Sequence, residues 1–266
     1  MDGLHQKKAF IIDMDGVIYH GNLLLPGARE FVNWLEDNGK EYIFLTNSSE
    51  RSQKELKQKL NRLGLDVGEQ HFYTSALATA SYLKSDCPGG SAYVIGEAGL
   101  VGALYDAGYS MNDVNPDYVV VGETSGYSYD KILKAVRLVR NGAKLIGTNP
   151  DVTGPIENGI APACRALIAP IEMAANRQAY FIGKPNPLMM RHAQKRLNAS
   201  PEDTVIIGDR MDTDIVAGIE SGLDTVLVLS GVTTLESMAT YPYQPRYVLT
   251  GVGDIPAEVP PLRVRP

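Results

Sequence analysis

Short apolar runs alternate with longer amphipathic segments along almost all of this 266-residue chain. A chain with that rhythm has few folds open to it. Strands that are apolar on both faces must be covered on both sides, and helices between them give a parallel sheet. Residues 9–12, 42–45, 204–207 and 225–229 read as strands, and 28–37, 52–63 and 215–221 as helices. In the second of these helices Leu56, Leu60 and Leu63 fall on one stripe, closed by Gly64. The middle keeps the rhythm by itself, with strands at 92–95, 118–121, 144–146 and 179–182 and helices at 98–107, 129–141 and 166–176. The expected fold class is α/β, and the self-contained middle fits a domain inserted into a loop of the first.

Length and composition bound the function. The chain is long enough for one large domain or two smaller ones with a full core. A formal net charge of -6 argues against nonspecific binding to nucleic acid and against an anionic membrane surface. No apolar run reaches the ~18 residues that span a bilayer. The apolar run after Lys7 and Lys8 is too short for a signal-peptide core. Cys87 and Cys164 have no C-x-x-C partner, so each reads as a structural thiol in a reducing compartment. The expected location is cytoplasmic.

Chemistry collects where strands end. In "AFIIDMDGVIYHG" the first strand runs into Asp13 and Asp15, one residue apart. In "FLTNSS" Thr46 and Asn47 follow the second strand, and in "VIIGDRMDTD" Asp209 follows another. "FIGKPNP" places Lys184 after a strand of the middle segment. Ligands of open α/β sheets bind outside the carboxyl ends of the strands, so neighbouring strands would bring these groups to one place. Carboxylates held that close repel unless a cation neutralises them. Mg²⁺ suits a few carboxylates, retained waters and a substrate phosphate. Lys184 suits phosphate oxygens as a point charge. Together these groups suit phosphoryl transfer. One of the two opening aspartates can attack phosphorus, and the other can protonate the leaving oxygen and then activate water.

"DMDGV", "LTNSS", "GKPNP" and "GDRMDTD", in that order, resemble the four motifs of the haloacid dehalogenase (HAD) superfamily of phosphatases. "YTSALATA", "VNPDYVVVGE", "TNPD", "APACRAL" and "LVLSGVTT" resemble its NagD subfamily, which carries an α/β cap. The resemblance implies a Rossmann-like parallel-sheet core at 1–77 and 182–266 with an inserted cap at 78–181. It implies a Mg²⁺-dependent phosphatase of small phosphate monoesters, such as sugar phosphates or nucleoside monophosphates, working through a phosphoaspartate. Asp13 is then similar to the nucleophile and Asp15 to the general acid/base. Thr46 and Lys184 match the phosphate-holding pair, and Asn47 is a substrate- or phosphate-binding candidate with them. Asp13, the carbonyl of Asp15 and Asp209 match the Mg²⁺ ligands, and Asp214 a position that supports the metal's waters. Cap loops face the active site in such proteins, which makes Asn149 and Asp151 substrate candidates, and relatives associate through their caps, which makes a homodimer the candidate assembly. "TNSS" departs from the "TNN" common in relatives and leaves the contacts beside the threonine open.

Plainer readings exist for each feature. Paired acids after a strand also occur in solvated turns, and acids near a helix N-terminus complement its dipole, which is the reading given to Asp212. His20 lies near the opening stretch and is assigned no role. "VIGEAGLVGAL" is not G-x-G-x-x-G, so its glycines read as tight strand-to-helix packing. Two further functions use the same residues: a phosphotransferase or mutase with the same phosphoaspartate, and a non-catalytic binder of a phosphorylated metabolite. The second sits poorly with the retention of Asp13, Asp15, Lys184 and Asp209.

Overall fold

The computed structural model describes residues 2–156 and 159–262, which form two compact α/β units. The first comprises Met1–Thr46, Lys57–Tyr73 and Pro187–Pro266, and the second Asn47–Leu56 and Thr74–Asn186. These bounds differ from the expected division at 78–181. Residues 47–56 join the second unit because Asn47 and Ser49 hydrogen-bond to Asp151, Asn149 and Glu123 within it.

The first unit is built on a six-stranded sheet. Across the sheet the strands run Tyr247–Leu249, Asp224–Val228, Thr204–Gly208, Ala9–Ile12, Glu41–Thr46 and Phe72–Thr74. Ala9–Ile12 is buried throughout and pairs in parallel with both neighbours, Ile12 lying opposite Ile207 on one side and Phe44 on the other. Helix Ala28–Asp37 buries Ala28, Phe31, Val32 and Leu35, the spacing of a single helical face. Helix Pro187–Leu197 buries Met189, Met190, Ala193 and Leu197 in the same way. The helix expected at 215–221 starts earlier, as a π-helical turn Met211–Ile215 that leads into Val216–Glu220.

The second unit has its own five-stranded parallel sheet, in the order Tyr180–Phe181, Lys144–Gly147, Tyr118–Val121, Ser91–Ile95, Ser110–Met111. Its core joins Ile95, Val119 and Val121 of the sheet to Ala135, Leu138 and Val139 of helix Tyr129–Arg140 and Leu167, Ile168 and Ile171 of helix Cys164–Ala175. A hairpin, Thr153–Ile156 with Gly159–Pro162, leaves Ile156 and Ile160 exposed. Among the described residues no helix is long and apolar enough to cross a membrane, and Cys87 and Cys164 are free thiols.

Two expectations follow. A Cβ at Gly218 would stand 2.5 Å from Thr225 Cγ2 and against Ile206 Cγ2, so this helix lies on the sheet closer than a methyl group permits. Alanine gains about 1 kcal/mol of helix propensity over glycine, but overpacking costs about 1–3 kcal/mol. Gly218→Ala should therefore lower the melting temperature by a few degrees, and an unchanged or raised melting point would show that the helix can lift off. Cys164 is fully buried, donates to Val121 O at 3.1 Å and has its thiol pushed up to about 12 by burial. In Cys87→Ser the native chain should resist Ellman's reagent at pH 8 and react only when unfolded; rapid native labelling would contradict that burial.

Candidate active site

The parallel register of the first sheet decides which side chains meet. Asp13 directly follows Ile12, and its N–H donates to Ile207 O at 2.8 Å. The neighbouring strand continues through Gly208 into Asp209, and the π-helical turn brings Asp214 back over the same strand end. One carboxylate oxygen from each of Asp13, Asp209 and Asp214 lies within 4.8 Å of the others. Asp209 and Asp214 are 2% and 1% exposed, and Asp13 is half-buried.

Backbone groups pin this triad. Val232 N donates to Asp209 Oδ2 at 2.7 Å, and Arg210 N donates to Asp214 Oδ2 at 3.1 Å. The Asp209 carboxylate fits between two chain segments that carry no side chain. A Cβ at Gly16 would lie 2.6 Å from Oδ2, and one at Gly231 would lie 2.5 Å from Cγ. Ser230 Oγ closes the same corner by donating to Gly16 O at 2.7 Å. Three carboxylates gathered this closely repel one another unless a cation joins them. Hard oxygen donors at this spacing fit a divalent ion such as Mg²⁺ or Mn²⁺.

Asp15 pairs with His20, with 3.3 Å between its Oδ1 and His20 Nδ1. Burial pushes its carboxyl above the usual carboxylate range, partly offset by the charges of His20 and Lys59. His20, given no role in the sequence, is thus the side-chain partner of Asp15. Asp212 is not in the cluster: the Arg210 guanidinium pairs with it through Nε at 3.1 Å and Nη2 at 2.8 Å. Thr46 is the last residue of its strand and half-buried.

The remaining candidates meet inside the second unit, at the carboxyl ends of its strands. Lys184 is 2% exposed. Asn47 Oδ1 accepts from Lys184 N at 2.7 Å, and Asn47 Nδ2 donates to Lys184 O at 3.0 Å and to Asp151 Oδ2 at 2.9 Å. Asn149 Nδ2 donates to Asn47 O at 2.7 Å and to Glu123 Oε1. Glu123 Oε2 accepts from Ser49 Oγ and, at 3.2 Å, from Ser49 N. Ser49 and Glu123 are the members that sequence reasoning missed. Ser49 follows the position at which "TNSS" departs from "TNN", and it is a buried serine held by a carboxylate 74 positions away.

Residues 10–110 match a family model described as haloacid dehalogenase-like hydrolase, and residues 181–255 match one described as HAD-hydrolase-like. The chain is 45% identical over 247 residues to the dihydroxyacetone phosphatase of Corynebacterium glutamicum, covering 93% of this chain and 90% of that protein. It is 44% identical over 248 residues to the ribonucleotide monophosphatase NagD of Escherichia coli, covering 93% and 98%. The solved structure of NagD from the K-12 strain of that organism superposes with a TM-score of 0.89 at 43% identity, over 94% of this chain and 98% of that one. The chain therefore belongs to the haloacid dehalogenase-like hydrolases, among their NagD-like phosphatases.

Proposed function

We propose that this protein is a Mg²⁺-dependent phosphatase of small phosphate monoesters that works through a phosphoaspartate on Asp13. It is a phosphoric monoester hydrolase of its family; the ion, the intermediate and the residue roles are the proposed part. The observation that carries them is the triad of Asp13, Asp209 and Asp214 at adjoining strand ends.

Asp13 is the half-buried member at the end of the central strand, which suits it to attack. Its carboxylate oxygen bonds to phosphorus as the bond from phosphorus to the leaving oxygen breaks. Asp15 gives that oxygen its proton, a role helped by a carboxyl raised through burial. Water then attacks the phosphoaspartate, Asp15 takes a proton back, and inorganic phosphate leaves with Asp13 restored. Thr46 and Lys184 take the phosphate oxygens. Asp13, the carbonyl of Asp15 and Asp209 would hold Mg²⁺, with Asp214 supporting its waters; when bound, the ion supplies positive charge against the phosphate. The first unit serves in this reading as the catalytic core and the second as the cap. Sugar phosphates and nucleoside monophosphates are the proposed substrate class, in line with relatives named for dihydroxyacetone phosphate and ribonucleotide hydrolysis. A homodimer through the second unit and a cytoplasmic location belong to the same proposal.

Phosphate release from p-nitrophenyl phosphate should vanish with EDTA and return with Mg²⁺. Asp13→Asn should lower it by about a thousandfold or more. The same change removes one of three crowded charges, so the metal-free melting temperature should hold or rise. Activity that survives either treatment would sink the mechanism. Gly231→Ala should push on the Asp209 carboxylate and raise the Mg²⁺ concentration needed for half-maximal rate about tenfold, the scale of changes around metal ligands. An unchanged Mg²⁺ requirement would remove Asp209 from the ligand set.

A further inference from the structure

We propose that Asn47 is a positioning residue for Lys184: it holds the lysine's own main chain by both polar groups and so fixes where the ammonium is rooted. This rests on the reading of Lys184 as a phosphate-holding group. It gives the Asn47 side chain a supporting part beside Thr46 and Lys184.

An asparagine amide offers two N–H donors and one carbonyl acceptor. In Asn47 all three functions are engaged within the protein, by Lys184 N, Lys184 O and Asp151 Oδ2. The amide's orientation is determined by its partners, since a backbone N–H can only donate and a carbonyl or carboxylate can only accept. Neither side-chain N–H remains for a phosphate oxygen. The pair of bonds to Lys184 N and O imitates a paired strand, and it clamps the main chain on both sides of the Lys184 Cα. Gly183 makes the approach feasible, because a Cβ there would stand 2.6 Å from Asn47 Oδ1.

The clamp is itself braced. The Asn47 carbonyl accepts from Ser75 Oγ at 2.5 Å and from Asn149 Nδ2 at 2.7 Å. Asn149 is fully buried, so its amide serves this brace. Asp151 fixes the far N–H of the Asn47 amide and is held in turn, its own N–H donating to Asn149 Oδ1 at 3.1 Å. A lysine is a point charge on a flexible stem, and its value to a bound phosphate depends on how firmly its root is held.

The test is a double-mutant cycle on the full chain with Asn47→Ala, Lys184→Ala and both together. It reads kcat and KM for p-nitrophenyl phosphate, the inhibition constant of inorganic phosphate, and melting temperature. Asn47→Ala should raise the phosphate inhibition constant about tenfold, but less than about twofold when Lys184 is already alanine. Equal losses in both backgrounds, or no loss in the first, would overturn the proposal. Lys184→Ala without effect on phosphate would remove the reading on which it rests, while wild type releasing no phosphate would fail the broader function first. Should Asn47→Ala not fold, Asn47→Ser with and without Lys184→Ala gives a second reading, since serine is too short to hold both Lys184 N and Lys184 O. A larger loss of phosphate inhibition when Lys184 is present supports the clamp, and equal losses count against it.

Discussion

The candidate chemistry depends on parallel pairing of Ala9–Ile12 between Glu41–Thr46 and Thr204–Gly208. Parallel strands point the same way, so whatever follows them emerges at one edge of the sheet. The register with Ile12 opposite both Phe44 and Ile207 then brings Asp13 beside the start of the Gly208–Asp209 turn and on the same edge as Thr46. The pairing is robust because it is apolar on both faces: Phe10, Ile11, Ile12, Phe44, Val205 and Ile207 are fully buried. At about 25 cal/mol per Å² of apolar surface, burying such side chains contributes roughly 1.5–3 kcal/mol each. A core of that kind can tolerate a cluster of like charges at its rim.

That cluster breaks the local rule that a stable fold would follow. Two of its three carboxylates are almost wholly buried, yet they face one another rather than being spread over the surface. The chain takes up part of the cost with backbone donors, Val232 N for Asp209 and Arg210 N for Asp214. Backbone N–H groups offset negative charge without adding a side chain that would fill the space. A carboxylate crowd held by N–H groups and walled by glycines keeps room for a small cation, which a lysine or arginine inserted at the same point would occupy. Departures from local consistency of this sort are expected where function is placed.

The parts legible in sequence are those whose signal is local. The strand 9–12, the helix 28–37 and the central strand 118–121 coincide with the expected bounds, since each shows its period within one short window. Asp13 and Asp209 stood out because each ends an apolar run. Helix Ser75–Asp86 escaped for a physical reason. Its buried residues are Ser75, Ala76, Ala78, Thr79, Ala80 and Leu83, small side chains that pack closely but make no apolar stripe. The π-helical turn 211–215 escaped because its backbone pattern is set by bringing Asp214 over Gly208, not by propensity. The brace around Asn47 joins positions 47, 49, 75, 123, 149 and 184, and no window of sequence contains it.

The two units treat polar groups in opposite ways, and the contrast bears on why position 47 is an amide. In the first unit the polar groups are like-charged acids, and their crowding is what suits the place to a cation. In the second they form hydrogen-bonded pairs in which donors and acceptors alternate: Ser49 to Glu123, Asn149 to Glu123 and Asn47, and Asn47 to Asp151 and Lys184. An aspartate at 47 would face the Asp151 carboxylate and the Lys184 carbonyl, acceptor against acceptor. A leucine of similar size would leave the Lys184 N–H and C=O without these buried partners, at about 1–3 kcal/mol for each unsatisfied group. Only an amide supplies a donor and an acceptor on one rigid plane, adds no charge beside Lys184, and holds that lysine's main chain by both ends.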